Sequence, residues 1–450
     1  MPIVLPTELS GPALARFKFY APFVKSLDTS RDRNLSCVIS NPEGLYELSQ
    51  RDPLLPNLQY LKFSVLSRAI DYGFPRLLLL LMFLSKSLLE YRIRFEAYRP
   101  LPAISLQRFS AVLAKLEEHC PNIQTLELYP DGRVKHTVEQ ISSIRLHYEP
   151  LSYFKANTLQ SLSTCLSVLQ DLGDLQCISH LRSLTLHCSE SLTVDEPLPN
   201  FEGNKWPNLT HLSLFALPDP RILLQLWSNP RLVRRLTAVV IVLLPIGIPY
   251  NMGGTTESFL DMLIEQSPGI TDLSVIRRPS SVDIIFDPAP LIGFLSRAVL
   301  RSLGIEIGKL LSYRDDYFDL KKCLSGRSYT HLVALALGHC RFKLDDLQYL
   351  AQAMPRLRHL RTQLFIPPGE IKLHIDETTQ RRACRMELRV CYVVTSGADW
   401  DHVSKYLLSV WPKLTLSLRP SVEQMHGEWM GSFEKAQREH VCRPEIEANA

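Results

Sequence analysis

An apolar residue, two variable positions, a second apolar residue, one variable position and a third apolar residue recur in that order along the 450-residue chain. Clear copies are Leu58/Leu61/Phe63, Ile123/Leu126/Leu128, Leu181/Leu184/Leu186, Leu209/Leu212/Leu214, Ile270/Leu273/Val275, Leu300/Leu303/Ile305 and Leu332/Leu335/Leu337. Leu88/Tyr91/Ile93 and Leu236/Val239/Ile241 are weaker copies, and Leu360 continues the series. Each copy ends in an apolar, variable, apolar alternation, the period of a strand with one buried face. One such strand cannot close a core. It buries its apolar face only by stacking on neighbours of the same kind, so the repeat dictates an array.

The middle residues of successive copies lie 25 to 35 positions apart, except for a gap of 58 between Leu126 and Leu184, where Ile141/Ile144/Leu146 supplies a further copy. The segments between copies carry a complementary helical period. Phe109, Val112, Leu113 and Leu116 precede Cys120-Pro121; Phe259, Met262 and Leu263 precede Ser267-Pro268; Leu347, Leu350, Ala351 and Met354 precede Pro355. Proline removes a donor and clashes with the preceding turn, so each helix stops there and the chain leaves extended. The unit is helix, proline corner, strand. This pattern predicts an irregular α/β leucine-rich-repeat-like solenoid, a horseshoe with a parallel sheet on its concave side and helices on its convex side.

The same reading predicts an N-terminal cap region over 1–50, the solenoid over 51–365, a C-terminal repeat or cap over 366–420 and a polar tail over 421–450. Within the last two, Ile371 to Ser396 reads as two strands, with Leu388, Val390, Tyr392 and Val394 alternating. Trp400 to Trp411 reads as a helix closed by Pro412, and Val422 to Glu439 as a final helix.

Residues between the apolar positions of each strand face the concavity. Among them Tyr60, Lys62, Arg92, Arg94, Glu127, Tyr129, His187, His211, Phe215, Asp272, His359 and Arg361 are the candidate partner-binding residues. Tyrosine and arginine are enriched among interface hot spots, which gives this face its functional weight.

Composition and motifs narrow the alternatives. The net charge of +4 is spread over 50 basic and 46 acidic residues, no basis for a nucleic-acid partner. The apolar runs Leu77 to Leu84 and Ala238 to Pro249 are shorter than the ~20 residues that span a bilayer, so no membrane partner is expected. The first residues lack a basic segment followed by a long apolar core, and the ten cysteines form no tight pairs. Both point to an intracellular protein, in cytoplasm or nucleus.

Gly304 to Leu310 misses the phosphate-loop spacing by one residue, and neither a Gly-x-Ser-x-Gly elbow nor a His-Glu-x-x-His helix occurs. Cys384 and Cys391, the pairs His119-Cys120, His187-Cys188 and His339-Cys340, and the acidic run Asp315 to Asp319 lack metal-site spacing. Arg231/Arg234/Arg235 and Arg381/Arg382/Arg385 read as solvated rims. No catalytic residue, cofactor or metal is expected.

Arg16 to Asp28 (RFKFYAPFVKSLD), Leu54 to Phe63 (LLPNLQYLKF), Phe83 to Ile93 (FLSKSLLEYRI) and Leu116 to Leu128 (LEEHCPNIQTLEL) resemble fungal F-box proteins with leucine-rich-repeat-like regions. The resemblance implies a protein-binding substrate-recognition scaffold. Leu5-Pro6-Thr7-Glu8-Leu9 looks like the start of an F-box, but the segment expected after the box already begins at Arg16, so the F-box itself is expected to be missing. The alternatives are a true substrate-recruiting subunit of a cullin-type ubiquitin ligase that binds a Skp-type adaptor, and an enzyme on a solenoid scaffold.

Overall fold

The computed structural model describes residues 11–28, 42–64, 78, 81–94, 106–129, 158–166, 178–188, 206–219, 221–244, 252–277, 293–295, 297–306, 329–366, 385–395, 399–418 and 429–438. The chain divides into two compact units, 1–218 with 231–235, and 219–230 with 236–450. The first contains strands β1 (Ser26–Asp28), β2 (Tyr60–Ser64), β3 (Glu90–Arg94), β4 (Thr125–Glu127), β5 (Ser161–Cys165), β6 (Ser183–His187) and β7 (His211–Leu217). The second contains β8 (Ala238–Leu243), β9 (Asp272–Arg277), β10 (Ser302–Glu306), β11 (Ala334–Lys343), β12 (His359–Ile366), β13 (Met386–Thr395) and β14 (Leu414–Leu418). Within each unit the strands lie in chain order and pair in parallel, giving an α/β fold with an open parallel sheet.

The register aligns the repeats residue for residue. Leu61, Tyr91, Leu126, Leu162, Leu184 and Leu212 form one buried row of the first unit, and Val239, Leu273, Leu303, Leu335, Leu360, Leu388 and Leu416 its counterpart in the second. Burying one such leucine stabilises by roughly 1.5–3 kcal/mol, so each row is a main source of cohesion.

Helices α1 (Pro12–Tyr20), α2 (Pro42–Arg51) and α3 (Leu106–His119) belong to the first unit, and α4 (Arg221–Trp227) opens the second. The single turn α5 (Pro230–Val233) falls in the first unit except for Pro230, and α6 (Met252–Gln266), α7 (Leu344–Ala353) and α8 (Trp400–Val410) belong to the second. Helices α3, α6, α7 and α8 end in the same way. The residue before each proline closes the last turn: Cys120 N–H donates to Leu116 O, Ser267 to Leu263, Met354 to Leu350 and Trp411 to Leu407, at 2.8–2.9 Å. Its own carbonyl then accepts from the residue three further on, at 3.4 Å from Ile123, 3.1 Å from Ile270, 3.0 Å from Leu357 and 3.1 Å from Leu414. These are β-turns with proline at the second position, where its fixed φ is already correct.

Neighbouring repeats are joined at the strand entry. The carbonyl of Gln59 accepts from Leu89 and Glu90, that of Leu89 from Gln124 and Thr125, and that of Gln124 from Gln160 and Ser161. In the second unit Thr237, Thr271, Arg301 and Val333 each accept two N–H groups in the same way. A side-chain ladder runs beside it in the first unit. Asn57 donates to Pro22 O (2.9 Å), Ser87 to Pro56 O (2.7 Å), Asn122 to Lys86 O (3.0 Å) and Asn208 to Ser179 O (2.7 Å), each from the same position of its repeat to the preceding one.

The structure departs from the sequence reading in several places. Strand β5, with Leu162 in the buried row, lies inside the 58-residue gap, whereas Ile141/Ile144/Leu146 falls outside the described residues. Strands β1 and β14 add pairings beyond the recognised copies. The alternation expected for β13 holds at Leu388 and Val390 and then breaks. The register slips between Thr362 and Gln363 on β12, the extra residue Cys391 is buried, and buried Val393 falls in register with Leu364, as a bulge requires. Residues 429–438 of the expected final helix, Val422 to Glu439, are helical, and the rest of it, like Ile371 to Ile375, lies outside the described residues.

Candidate functional face

The face opposite the buried rows is built by the variable residues of the strands. In the first unit Tyr60 is exposed, Lys62 is half-buried, and Arg92 pairs with Glu90 at 3.0 Å. The backbone of Arg94 ends β3; its side chain lies outside the described residues. Register sets Lys62 beside Arg92 and Arg92 beside Glu127, so the charges form a lateral row.

Past that row the face turns aromatic. Tyr129 is buried, and its hydroxyl lies 2.5 Å from Ser163 Oγ and donates to Glu127 Oε1 at 3.1 Å. Burial raises its pKa, reinforced by the Glu127 carboxylate, so the hydroxyl keeps its proton and serves as a donor. The ring of Tyr129 meets His187 edge-on at 4.6 Å, and His187 stacks on Phe215 at 5.0 Å with 13° between the planes. Residues of β6 and β7 and the residue two positions past β4 thus supply one aromatic ladder, which passes over β5 between Tyr129 and His187. Exposed His211, at the start of β7, shares a 2.8 Å hydrogen bond with Thr210.

In the second unit Asp272 accepts from the Thr271 hydroxyl at 2.7 Å. Small residues follow along the register: Ser274, Gly304 and Ala336. Glu306 reaches over β11 to Arg361 on β12, with Oε1 at 2.7 Å from Nη1. Gly338 leaves it room, because a Cβ there would stand 3.2 Å from the Glu306 Cδ. Arg361 also donates through Nε to Cys391 Sγ at 3.1 Å, and His359 pairs with Glu387 at 3.1 Å.

The twelve residues expected on one face are therefore divided. Tyr60, Lys62, Arg92 and Glu127 group in the first unit, with Tyr129, His187 and Phe215 in the adjoining ladder and His211 at the start of β7, while Arg94 is placed by its backbone alone. Asp272 stands apart in the second unit, and His359 and Arg361 lie on one strand there. The sequence reading did not single out Arg341, Glu387, Arg389 or Ser163. Glu387 and Arg389 alternate with Leu388 and Val390, the signal that would have extended the face onto β13.

Burial pushes the thiols of Cys120 and Cys188 up to about 12, leaving them protonated near neutrality. The five described cysteines are all unbridged. Among the described residues no group of three or more His, Cys, Asp or Glu is placed to hold a metal ion, and no helix is long and apolar enough to cross a membrane. Glu306 and Gly304 belong to β10, while the rest of the near phosphate-loop and the Asp315 to Asp319 run lie outside the described residues. No protein-family model and no curated protein matches the chain.

Proposed function

We propose that the chain is a non-enzymatic protein-binding solenoid, a leucine-rich-repeat-like horseshoe that uses the open face of its sheet to recognise a protein partner. The observation that carries this reading is the division of labour within each strand. One set of side chains is spent on the buried rows, while the alternate set stands on a regular lattice of charged, aromatic and small polar groups. Strands one register apart are ~4.8 Å from each other and alternate residues ~6.8 Å, so such a face offers fixed, evenly spaced contacts. Tyrosine and arginine on it are the side chains that contribute most to interface energies.

The partner class follows from the resemblance to F-box proteins: a substrate-recognition scaffold of that kind. The test is capture of proteins by the purified chain, identified by mass spectrometry and compared with the variant Tyr60→Ala/Lys62→Glu/Arg389→Glu. Specific partners are expected to be lost from the variant while its far-UV spectrum is unchanged. Full retention of every partner would place recognition elsewhere.

A second reading, a working ubiquitin-ligase subunit, is supported by one feature. Phe19, Tyr20 and Phe23 on α1 and the turn after it are 66%, 54% and 73% exposed, an apolar cluster suited to a protein contact. Co-purification with a Skp-type adaptor that is lost in Phe19→Ser/Phe23→Ser would support it. An adaptor that does not bind at micromolar concentration would end it.

A further inference from the structure

The open faces of the two units differ in character. On β1 to β4 the described side chains Lys62 and Arg92 stand among Asp28, Glu90 and Glu127, and each sign is answered nearby. On β10 to β13 the balance is different. Register and burial put Arg341 and Lys343 of β11, Arg361 of β12 and Arg389 of β13 on that face, against the carboxylates Glu306 and Glu387. Glu306 is committed to Arg361 and Glu387 to His359. Arg389 is exposed and Arg341 half-exposed, and neither forms an ion pair among the described residues.

The arrangement of these arginines is set by the sheet. Arg389 is the register partner of Arg361, one strand away, ~4.8 Å by backbone spacing. Arg341 pairs with Gln363, which places it one strand from β12 on the other side and two residues further along. Like charges held directly opposite on neighbouring strands destabilise a sheet, and an incoming anion removes that repulsion. Glu306 already shows which anion suits this surface. It fills one side of the Arg361 guanidinium with a carboxylate at 2.7 Å, through the opening left by Gly338.

We propose that the open face of β11–β13 is the docking surface for an acidic peptide segment, whose carboxylates are received by Arg389 and Arg341 on either side of the Glu306–Arg361 pair. Arg389 and Arg341 are two strands and two residues apart, about 12 Å by backbone spacing, and an extended peptide presents side chains four residues apart at ~13.6 Å, within reach of both flexible guanidinium groups. Glu306 and Glu387 favour a peptide over a nucleic acid. A phosphate backbone is negative at every step and would be driven against both carboxylates, whereas a peptide can place neutral residues there. The inference rests on the protein-binding reading and adds the chemistry of the partner.

The test uses the full chain and fluorescence anisotropy with three probes of known composition. They are a labelled peptide of alternating glutamate and serine, about 12 residues long so that several registers can bridge the two arginines, the same peptide with glutamine for glutamate, and a single-stranded oligonucleotide of equal length. The glutamate peptide is expected to bind at least about 10-fold more tightly than the glutamine peptide, and to weaken as salt rises from about 50 to about 200 mM. Arg341→Glu/Arg389→Glu is expected to lose that binding by about 10-fold or more. Arg356→Glu/Lys413→Glu, which changes net charge equally at exposed corners of the same unit, is expected to stay within about 2-fold.

Arg341→Gln/Arg389→Gln gives the same readout if charge reversal disturbs folding. Tighter binding of the oligonucleotide, or equal losses in the two charge-reversed variants, would overturn the proposal. Partners that Tyr60→Ala/Lys62→Glu abolishes but Arg341→Gln/Arg389→Gln leaves untouched would overturn the acidic-segment inference while sparing the protein-binding reading. Capture insensitive to both would remove the protein-binding reading itself.

Discussion

Removing Glu306 or Arg361 should expose how much of the second unit depends on one cross-strand pair. At the observed 2.7 Å, two unit charges attract by about 6 kcal/mol at an effective dielectric near 20. Dehydrating a carboxylate that is only 11% exposed offsets most of that gain. The net coupling expected is about 1–3 kcal/mol, the range for hydrogen bonds between charged groups. Arg361→Ala leaves the carboxylate buried without its cation and is expected to destabilise by about 3–4 kcal/mol; Glu306→Ala leaves a cation with more access to water and should cost about 2 kcal/mol. The double variant should fall short of the sum by the coupling.

Urea unfolding followed by tryptophan fluorescence measures this well, because Trp227, Trp400, Trp411 and Trp429 belong to the second unit and Trp206 to the first. A coupling below about 0.5 kcal/mol, or one that vanishes in about 1 M salt, would show a screened surface pair and refute the reasoning. Gly338→Ala should reproduce part of the loss by pushing Glu306 off its line to Arg361.

Three further outcomes can be checked on the same protein. Replacing Asn57, Asn122 and Asn208 by alanine should lower stability by about 0.5–1 kcal/mol each and nearly additively, since the sites share no partners; thermal melts of single and triple variants decide it. With folded-state thiols raised above the ordinary value of 9.0 to about 12, Cys120 and Cys188 contribute stability that is complete below pH 9 and lost as pH climbs toward 12. Denaturant midpoints across that window should fall, and iodoacetamide at pH 8 should label both far more slowly in the native protein than in urea. Ala216 holds φ 57°, a region that penalises a Cβ, so Ala216→Gly should stabilise by up to about 1 kcal/mol and Ala216→Val should destabilise, as read from unfolding midpoints.

The strands that announced themselves in the sequence carry large aliphatic residues at all three apolar positions, as in Leu209/Leu212/Leu214. Strand β5 did not, because its third position is Thr164, a buried threonine, so the pattern Leu159/Leu162/Thr164 reads as two thirds of a copy. Strand β14 satisfies the full pattern with Trp411/Leu414/Leu416, but its first member is also the last turn of a helix, and the helical period masked it. The face opposite the core follows from the strand period wherever the register is uninterrupted, which is why Lys62, Arg92 and Arg361 could be placed from sequence. Pairing could not. That Glu306 passes over an entire strand to meet Arg361 depends on the missing side chain of Gly338, and that Cys391 turns inward depends on a bulge, neither of which leaves a periodic mark.

The shared carbonyls at the strand entries bear on self-association. Each of them already accepts two N–H groups, and that of Thr237 the Thr271 hydroxyl as well, so a foreign strand could enter between repeats only by displacing these donors. The interior of each sheet is thereby closed to invasion. The first strand of the first unit, β1, and the last of the second, β14, are three and five residues long. Edges that short give an incoming strand few hydrogen bonds to capture, so a long ladder of parallel strands is kept from templating growth at its ends.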